Sequence, residues 1–483
     1  MKQKTSESFC QVLLELDINH AKALANLVMS LASNKEAHSV VELANSPLYH
    51  YQYSSICDAI NGLCLNSTEY ESVSKKIRQF CVSFLNLPSD KTYRFNSDSS
   101  TLLKAFSPTL KDRSLVHIPN NMISGNKPLS VGYRNSTITL SEYDGWQLTL
   151  SMQRIGIHQT ATECLLEQLK GLFEDPKLPF QQADLLINRL DSGYGNPQYL
   201  SPSYAHDKLV SIARLRQGQK IWMPSSQNNA KGRPRIYEDK PYYLYQNSQK
   251  KTYKYKDQIR EVHQRCVFEI SPSQVDIMGS TTKKGRKICH QIFSWNDLLV
   301  RTKNGNKMSD KPINLFAVIS TDAITGEKIF QQPLFIVVSG KNKDILTPSE
   351  AFYEYQERYD IEPFFRFNKQ KLFLDKFQTP DVQHLDNWIL VVQLAVFLLF
   401  LTAREGQHCV PKWQKYLPKE NIHKPVRLSI AQAKKTAQKL FLTFNEKPFL
   451  PKKSKKGKPR QKGQKQIPRT RYDVFKKKKK TPD

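Results

Sequence analysis

The chain has 483 residues and a formal net charge of +29 at pH 7. The length allows two or three domains with substantial cores. The charge is far from that of a neutral metabolic enzyme and indicates a polyanionic partner, nucleic acid first of all. Eight cysteines are scattered without a Cys-x2-Cys pair or a histidine at zinc-finger spacing, which predicts reduced thiols and excludes zinc fingers. The sequence has no Gly-x4-Gly-Lys-Ser/Thr loop, which argues against nucleotide hydrolysis.

Apolar repeats at helical spacing mark residues 1–90. They occur in FCQVLLELDI, AKALANLVMSLA and SKKIRQFCVSFL and predict an N-terminal helical domain. No helix-turn-helix spacing identifies a recognition helix. Two roles therefore stay open for this region, DNA recognition and packing alone.

Strands and a helix alternate over the next hundred residues. A strand is predicted in KTYRFNSDSS, which contains Asp98, and a hairpin in PLSVGYRNSTITL and GWQLTLSMQRI, turning at 141–145. Residues 158–173 predict an amphipathic helix. ADLLINRL predicts a strand that ends at Asp191 and is followed by a Gly-rich turn, and LVSIARLRQGQKIWM predicts a further strand pair. Asp191 thus lies at the carboxyl end of a strand, where open sheets present their sites.

Short aromatic and β-branched runs fill residues 217–335 and predict a β-rich insertion. Interleaved basic and aromatic residues suit a surface that follows a DNA backbone and stacks an unpaired base. For any single aromatic residue, core packing is the more common role. The segment KGRPRIY, residues 231–237, is similar to the Gly-Arg-Pro centre of minor-groove hooks. Trp222 and Trp295 are candidates for stacking on a flipped base.

A signature of four polar residues lies within residues 351–377. Its spacing is Tyr-x2-Arg-x3-Glu-x6-Lys, formed by Tyr355, Arg358, Glu362 and Lys369. On one continuous helix these side chains would fall within a sector of about 60°. The alternative interpretation is an amphipathic surface helix with common charged residues.

The start and the middle of this helix carry further signals. TPSE at residues 347–350 predicts a capping box with Pro348 at the first helical position. Pro363 predicts a kink or two abutting helices, because proline removes a hydrogen bond and restricts the preceding residue.

The C-terminal third begins with the strongest apolar stretch, residues 388–401. It is short for a bilayer span and predicts a buried helix packed across the sheet. Another helix is expected over 427–444, with dimer contacts as one role. Residues 451–483 hold 15 Lys and Arg against two Asp. This composition predicts disorder and sequence-independent phosphate binding, or only a solubilising end. No signal peptide is expected, since no long apolar run follows the N-terminal charges.

The signature resembles the Tyr-Arg-Glu-Lys motif of bacterial insertion-sequence transposases, whose catalytic core is RNase H-like with an Asp-Asp-Glu metal site. The resemblance implies an α/β fold, in which an RNase H-like mixed sheet with helices is interrupted by a β-rich insertion and preceded by the helical domain. It implies that Asp98 and Asp191 are the first two acidic residues, and the Asp-Ser-x-Tyr sequence at Asp191 is itself similar to that family's second site.

The residue roles follow from the same resemblance. Asp98, Asp191 and Glu362 become catalytic residues and ligands of Mg²⁺ or Mn²⁺, which carboxylate oxygens suit. Tyr355, Arg358 and Lys369 become contacts to DNA phosphates. The implied activity is metal-dependent cleavage of double-stranded DNA at transposon ends and strand transfer into target DNA. The implied setting is a homodimer on DNA, in the cytoplasm at the nucleoid and without a membrane.

The expected organisation has six parts. They are an N-terminal helical, DNA-end-binding domain (1–90), the first part of the catalytic core (91–216), the β-rich insertion (217–335), the second part of the core (336–404), a C-terminal helical region (405–450) and a disordered basic tail (451–483).

Two other functions fit the same sequence. One is an inactive or domesticated transposase relative that binds DNA without cutting, favoured by the polar residues that flank Asp98. The other is a non-catalytic RNA-binding protein whose charge is its whole function, with the tail as the working part.

Overall fold

The fold was analysed in a computed structural model of the chain. It describes residues 5–118, 128–141, 146–225, 235–302, 307–405, 428–444 and 468–476, apart from positions 16, 17, 87, 89, 256, 257 and 283, together with 461, 463 and 465.

Helices occur at both ends of the chain and between the strands. They are α1 (Ser6–Glu15), α2 (Ala21–Ser33), α3 (Ser54–Asn61), α4 (Ser67–Ser83), α5 (Ala161–Phe173), α6 (Pro197–Ser203), α7 (Pro348–Glu357), α8 (Ile361–Lys371), α9 (Val382–Glu405) and α10 (Ile430–Phe444). The helical character predicted for residues 1–90 is confirmed by α1 to α4.

The strands occupy the middle of the chain. They are β1 (Thr92–Leu103), β2 (Ser114–His117), β3 (Leu129–Ser141), β4 (Gln147–Arg154), β5 (Leu185–Leu190), β6 (Leu209–Arg214), β7 (Lys220–Ile221), β8 (Tyr242–Tyr243), β9 (Gln249–Tyr255), β10 (Gln258–Gln264), β11 (Gln274–Thr281), β12 (Lys287–Leu298), β13 (Ile313–Asp322) and β14 (Leu334–Ser339). The chain is thus a mixed α/β protein, as expected from its sequence.

The residues group into two compact units. Unit 1 comprises residues 1–86, 99–164 and 360–483, and unit 2 comprises 87–98 and 165–359. Strand β1 therefore contributes its first seven residues to unit 2 and the rest to unit 1. The N-terminal helices share a unit with the β3–β4 hairpin and the C-terminal helices, a grouping that the six-part organisation did not anticipate.

Helix α9 is the core element of unit 1. It contacts α1, α2, α3, α4, α10 and β4, and the side chains from Trp388 to Ala403 are buried throughout. In the described residues it is the one helix long and apolar enough to cross a membrane, yet 94% of its apolar window is buried inside the protein. Its position matches the buried helix predicted from the apolar run.

The strands of unit 1 include the predicted hairpin. Strand β4 pairs antiparallel with β3, and β3 lies between β1 and β2 in the strand order. Gln393 of α9 donates to the Thr149 carbonyl at 2.9 Å, which ties the core helix to β4. The hairpin prediction is confirmed.

Part of the basic tail lies against unit 1. The Tyr472 amide donates to the Pro108 carbonyl at 2.9 Å, and the Phe475 amide donates to the Arg113 carbonyl at 2.7 Å. The Phe475 ring also meets the His158 ring edge to face. These contacts describe an ordered stretch, residues 468–476, inside a tail for which the sequence predicted disorder.

Unit 2 is built on one mixed sheet with the order β11-β12-β13-β14-β6-β5-β1. Strands β1, β5 and β6 run parallel, whereas β14 is antiparallel to β6. The predicted pairing of the two strands in LVSIARLRQGQKIWM is wrong, because β6 pairs with β5 and β14 while β7 pairs with β8. Five apolar or small residues in a row, residues 209–213, made β6 visible, but the partners of β6 and β7 come from other parts of the sequence.

The β-rich character of residues 217–335 is confirmed in their described part. Its regular elements are β7 to β13, the start of β14 and a 3-10 turn at Val267–Glu269. Strands β11 to β14 do not form a separate body, because they extend the same sheet through the β14–β6 pairing.

Helices cover both faces of the parallel strands in unit 2. On one face, Phe352 and Tyr355 of α7 pack against Ile187, Ile212 and other aliphatic side chains of the sheet. On the other face, Phe95 of β1 meets Phe173 of α5. This alternation follows from the two-residue period of a strand that is buried on both sides.

The signature segment is divided, as Pro363 indicated. Helix α7 begins with the predicted capping box, in which Thr347 and Glu350 bond each other's backbone amides, and Pro348 occupies its first turn. A 3-10 turn, Arg358–Asp360, separates α7 from α8. The four signature residues therefore do not share one continuous helical face, which corrects the sector of about 60° expected for a single straight helix.

Candidate active site

The pairing of β1 with β5 brings the two aspartates together. Ser97 is the register partner of Leu190, the last pair of this ladder. Asp98 is the next residue of β1, and Asp191 is the first residue after β5. Neighbouring strands lie about 4.8 Å apart, and residues in register on parallel strands point to the same face. The backbones of Asp98 and Asp191 are therefore expected to be neighbours where β5 ends.

The end of α7 lies over this position. An Nη1 atom of Arg358 is 3.5 Å from Oδ2 of Asp98, and the side chains are 6% and 21% exposed. The Asn96 amide donates to the Glu357 carbonyl at 3.3 Å, which fixes the last residues of α7 above β1. A signature residue and an acidic residue separated by 260 positions are thus in one ion pair.

Tyr355 belongs to the same cluster. Its side chain is 1% exposed, and burial raises the pKa of its phenol. The charge of Asp191 raises this pKa further, whereas Arg358 and Arg214 lower it. Among the described residues the hydroxyl has no hydrogen-bond partner. It is a buried donor near Asp191 rather than a group on the surface.

The other two signature residues are in α8, in unit 1. Glu362 is exposed in the first turn of α8, and Lys369 lies in its last turns. Burial lowers the pKa of the Lys369 amine, and the nearby Asp375 carboxylate opposes this effect. In the part of the chain that the structure describes, no three His, Cys, Asp or Glu residues form a group that could hold a metal ion. Glu362 as the third ligand stays a prediction.

An ion cluster lies on the same face of the sheet, and the sequence analysis missed it. Glu354 of α7 accepts from Nε of Arg94 at 2.7 Å and from Nε of Arg189 at 2.8 Å, and its carboxylate also bonds a terminal nitrogen of Arg189. A signal existed, because Arg94 and Arg189 precede the two aspartates by even numbers of residues. The strand period therefore places them on the same face.

On the opposite face, a buried polar chain holds the turn after Asp191. Ser97 donates to the Asn188 amide oxygen at 2.7 Å, and the Asn188 amide donates to the Tyr199 hydroxyl at 2.9 Å. The Tyr199 hydroxyl is also 3.0 Å from the Ser211 hydroxyl. This chain joins β1, β5 and β6 to α6, the helix that begins six residues after Asp191.

The turn after Asp191 borders a cavity of about 630 Å³. Trp222 lines it, together with the cationic side chains of Lys220 and Arg301. Gly195 is required at its edge, since a Cβ there would lie 2.4 Å from the Arg214 carbonyl oxygen. The Trp222 side chain is 8% exposed, so its role as a base-stacking surface stays a prediction.

Trp295 does not fit the stacking role proposed for it. Its side chain is 1% exposed, and its indole nitrogen donates to the Ile270 carbonyl at 3.0 Å. Its ring packs edge to face with Phe268. Trp295 is a core residue of unit 2, and the candidate assignment is wrong.

The Gly-Arg-Pro centre of KGRPRIY lies outside the described residues. Of its flank, Arg235 pairs with Asp239 at 2.8 Å. Tyr237 lies edge to face with Trp222 and beneath Arg301. The minor-groove hook therefore stays a prediction from sequence.

Comparison with protein-family models finds no match for the chain. Comparison with curated proteins finds no match either.

Proposed function

We propose that this protein is a DNA transposase of the Tyr-Arg-Glu-Lys group. The observation that carries the proposal is the junction of Asp98, Asp191 and Arg358. Each aspartate directly follows a residue of the Ser97–Leu190 register pair, which supports their proximity, and the signature arginine pairs with Asp98. Residues that the resemblance links by role, but that lie far apart in sequence, meet in unit 2.

The arrangement of strands supports an RNase H-like core. The first strand, β1, is neighboured by β3 of an antiparallel hairpin. After α5 come β5, parallel to β1, and β6, parallel to β5. The resemblance implies the same elements, with the first acidic residue on the first strand next to a hairpin of long strands.

The donor chemistry of the aspartate pair fits a divalent cation. Two adjacent carboxylates offer the hard oxygen ligands that Mg²⁺ and Mn²⁺ take, and by resemblance Glu362 is the third ligand. When bound, such ions supply activation of a water or 3′ hydroxyl and charge stabilisation at the phosphodiester.

The remaining roles belong to the chain's own side chains. Arg358 has the planar fork that contacts phosphate oxygens in a bidentate manner, and that fork lies beside the Asp98 carboxylate. The buried Tyr355 hydroxyl is a donor next to Asp191. Lys369 is a further phosphate contact by resemblance, and its lowered pKa reflects burial.

The partner is double-stranded DNA at transposon ends and target sites. A net charge of +29 gives a strong, sequence-independent attraction to phosphate. By resemblance the protein works as a homodimer on DNA, in the cytoplasm and associated with the nucleoid.

The test is strand cleavage by Glu362→Gln. This change keeps side-chain size and removes one carboxylate, so we expect nicking of end DNA to be lost while binding of the same DNA is retained. Gel-based nicking and mobility-shift assays on one substrate measure both. Normal nicking by Glu362→Gln would contradict the assignment of Glu362 as a metal ligand.

A second candidate function is a DNA-binding relative that does not cut. The observation favouring it is that Arg358 already pairs with Asp98, so an ion would have to compete with the guanidinium for that carboxylate. Mg²⁺-independent DNA binding with no cleavage by the wild-type protein would support this candidate.

A further inference from the structure

Two arginines lie on the same face of the sheet as the aspartates. Arg94 precedes Asp98 by four residues on β1. Arg189 lies in β5 and precedes Asp191 by two residues. Since alternate residues of a strand share a face, the face reads Arg94, Asn96, Asp98 on one strand and Ile187, Arg189, Asp191 on the next. The exposed fraction of the Arg189 side chain is 3%.

One carboxylate accepts hydrogen bonds from both guanidinium groups. Glu354 receives Nε of Arg94 at 2.7 Å and Nε of Arg189 at 2.8 Å, one on each oxygen. Its side chain is 7% exposed. A further nitrogen of Arg189 lies 3.4 Å from the Asn96 amide oxygen. Both arginines therefore bond the carboxylate that α7 carries.

The geometry points to Glu354 as a positioning residue that keeps the Asp191 carboxylate available for a cation, an inference that rests on the proposed function. A buried charge that has lost its partner is strongly destabilising, so a new ion pair would be favourable. Asp191 is the next acidic side chain along the face from Arg189. Without Glu354, Arg189 would pair with Asp191 and oppose a divalent ion there. Glu354 acts through Arg189 and does not contact the ion.

Glu354 also holds α7, which carries Tyr355 and Arg358, on the strands. A purely structural role would make the three ion-cluster residues equivalent, so that removing any of them would loosen α7 and weaken ion binding alike. A counter-ion role predicts opposite effects for the acid and the base. The sign of each effect separates the two interpretations.

The experiment is Mn²⁺ binding to the full chain without DNA, followed by electron paramagnetic resonance of free Mn²⁺. For Glu354→Gln we expect about 10-fold weaker binding, the size usual for groups that support metal ligands. For Arg189→Met we expect binding as tight as in the wild type or tighter, because one cation has been removed while Arg94 still partners Glu354. The control is Glu327→Gln, the same charge change at an exposed position of unit 2.

The double variant Glu354→Gln/Arg189→Met closes the cycle and should recover most of the lost affinity. Equal weakening by Glu354→Gln and Arg189→Met, or an effect of Glu354→Gln no larger than that of Glu327→Gln, would overturn the inference. If circular dichroism shows Glu354→Gln to be unfolded, Arg189→Met decides alone, and weaker binding by it overturns the inference. Asp191→Asn separates failure of this inference from failure of the proposed function. If Mn²⁺ binding is unaffected by that change, Asp191 is not a metal ligand and the proposed function itself fails.

Discussion

Arg358 has two partners to satisfy, the Asp98 carboxylate and, in the proposed function, a DNA phosphate. Its guanidinium is nearly buried, at 6% exposure, and 3.5 Å from Asp98. A buried pair of this kind contributes little net stability, because the desolvation of both charges offsets their attraction. Its value lies in fixing where the planar fork points.

We therefore predict that Arg358→Ala lowers the rate of end cleavage by about 100-fold, the size typical for loss of one fixed donor at a charged transition state. Mn²⁺ affinity should not fall, because the variant removes a competitor for Asp98. The matched control is Arg358→Lys, which keeps the charge and loses the bidentate geometry. Single-turnover nicking measures the rates, and an unchanged rate for Arg358→Ala would deprive the signature of its functional meaning.

At this scale the sequence proposed candidate residues but not their contacts. The spacing singled out Tyr355 and Arg358, and the strand ending pointed to Asp191. The Arg358–Asp98 pair was not predictable, because it depends on how the end of α7 packs against β1. Glu354 was overlooked as one more charged helix residue, since its role appears only when Arg94 and Arg189 come from two distant strands.

Among the elements, α10 carries a buried cation. The Lys434 amine donates to the Leu31 carbonyl at 2.8 Å. Burial, together with the charge of Lys371, lowers the pKa of Lys434 to about 7. The unfolded chain has the ordinary value of 10.5, so it binds more protons than the folded chain between pH 7 and 10.5. The free energy of unfolding therefore increases as pH rises through that window. Below the window the cost of burying the charged amine is present in full.

Lys434→Met should remove this pH dependence. At about 1.4 kcal/mol per pKa unit, the unfolding free energy of the wild type changes by a few kcal/mol across the window. The lost bond to Leu31 lowers the stability of the variant without adding a pH dependence. The measurement is urea unfolding at pH 7, 8 and 9. The control is Lys435→Met, at the exposed neighbouring position, which should keep the wild-type slope. A Lys434→Met slope equal to that of the control would contradict the assignment.

The elements themselves were largely predictable. Periodicity gave the N-terminal helices, the β3–β4 hairpin, α5, β5 and α9, because each has one buried face or is buried all round. The capping box gave the start of α7, and Pro363 the division of the signature segment. The partner of β6 was not predictable, because apolar strands pair equally well with many others until the whole sheet is assembled.

The whole molecule is strongly basic, and part of its basic C-terminal tail contacts unit 1. The ordered stretch at residues 468–476 bonds residues 108 and 113 of unit 1, and the Lys111 amine lies over the Tyr472 ring. The lysines at 476–480 follow directly in sequence. The first of them is therefore held next to a fixed point of unit 1.

Removing residues 451–483 should weaken binding to any duplex DNA and reduce its dependence on salt, since up to 15 cations leave the protein. The preference for end DNA over unrelated DNA should persist, because the proposed contacts lie elsewhere. Fluorescence anisotropy with both duplexes at several salt concentrations measures the two effects. Loss of the preference along with the affinity would favour the non-catalytic polyanion binder.

Length and charge indicate a polyanionic partner to test, whereas the grouping of the chain into two units could not be predicted from the sequence. Each unit is assembled from separate chain segments, and the division falls within β1 and between residues 359 and 360. Linker composition cannot reveal such a division, because no Pro- or Gly-rich linker marks it.

The most direct test of the account is Mg²⁺-dependent cleavage of the DNA that flanks the coding sequence, by wild type and Asp191→Asn. We predict cuts at the element boundaries by the wild type alone, with both proteins binding the same ends. Binding by both without cleavage by either would contradict the catalytic account and leave the DNA-binding relative.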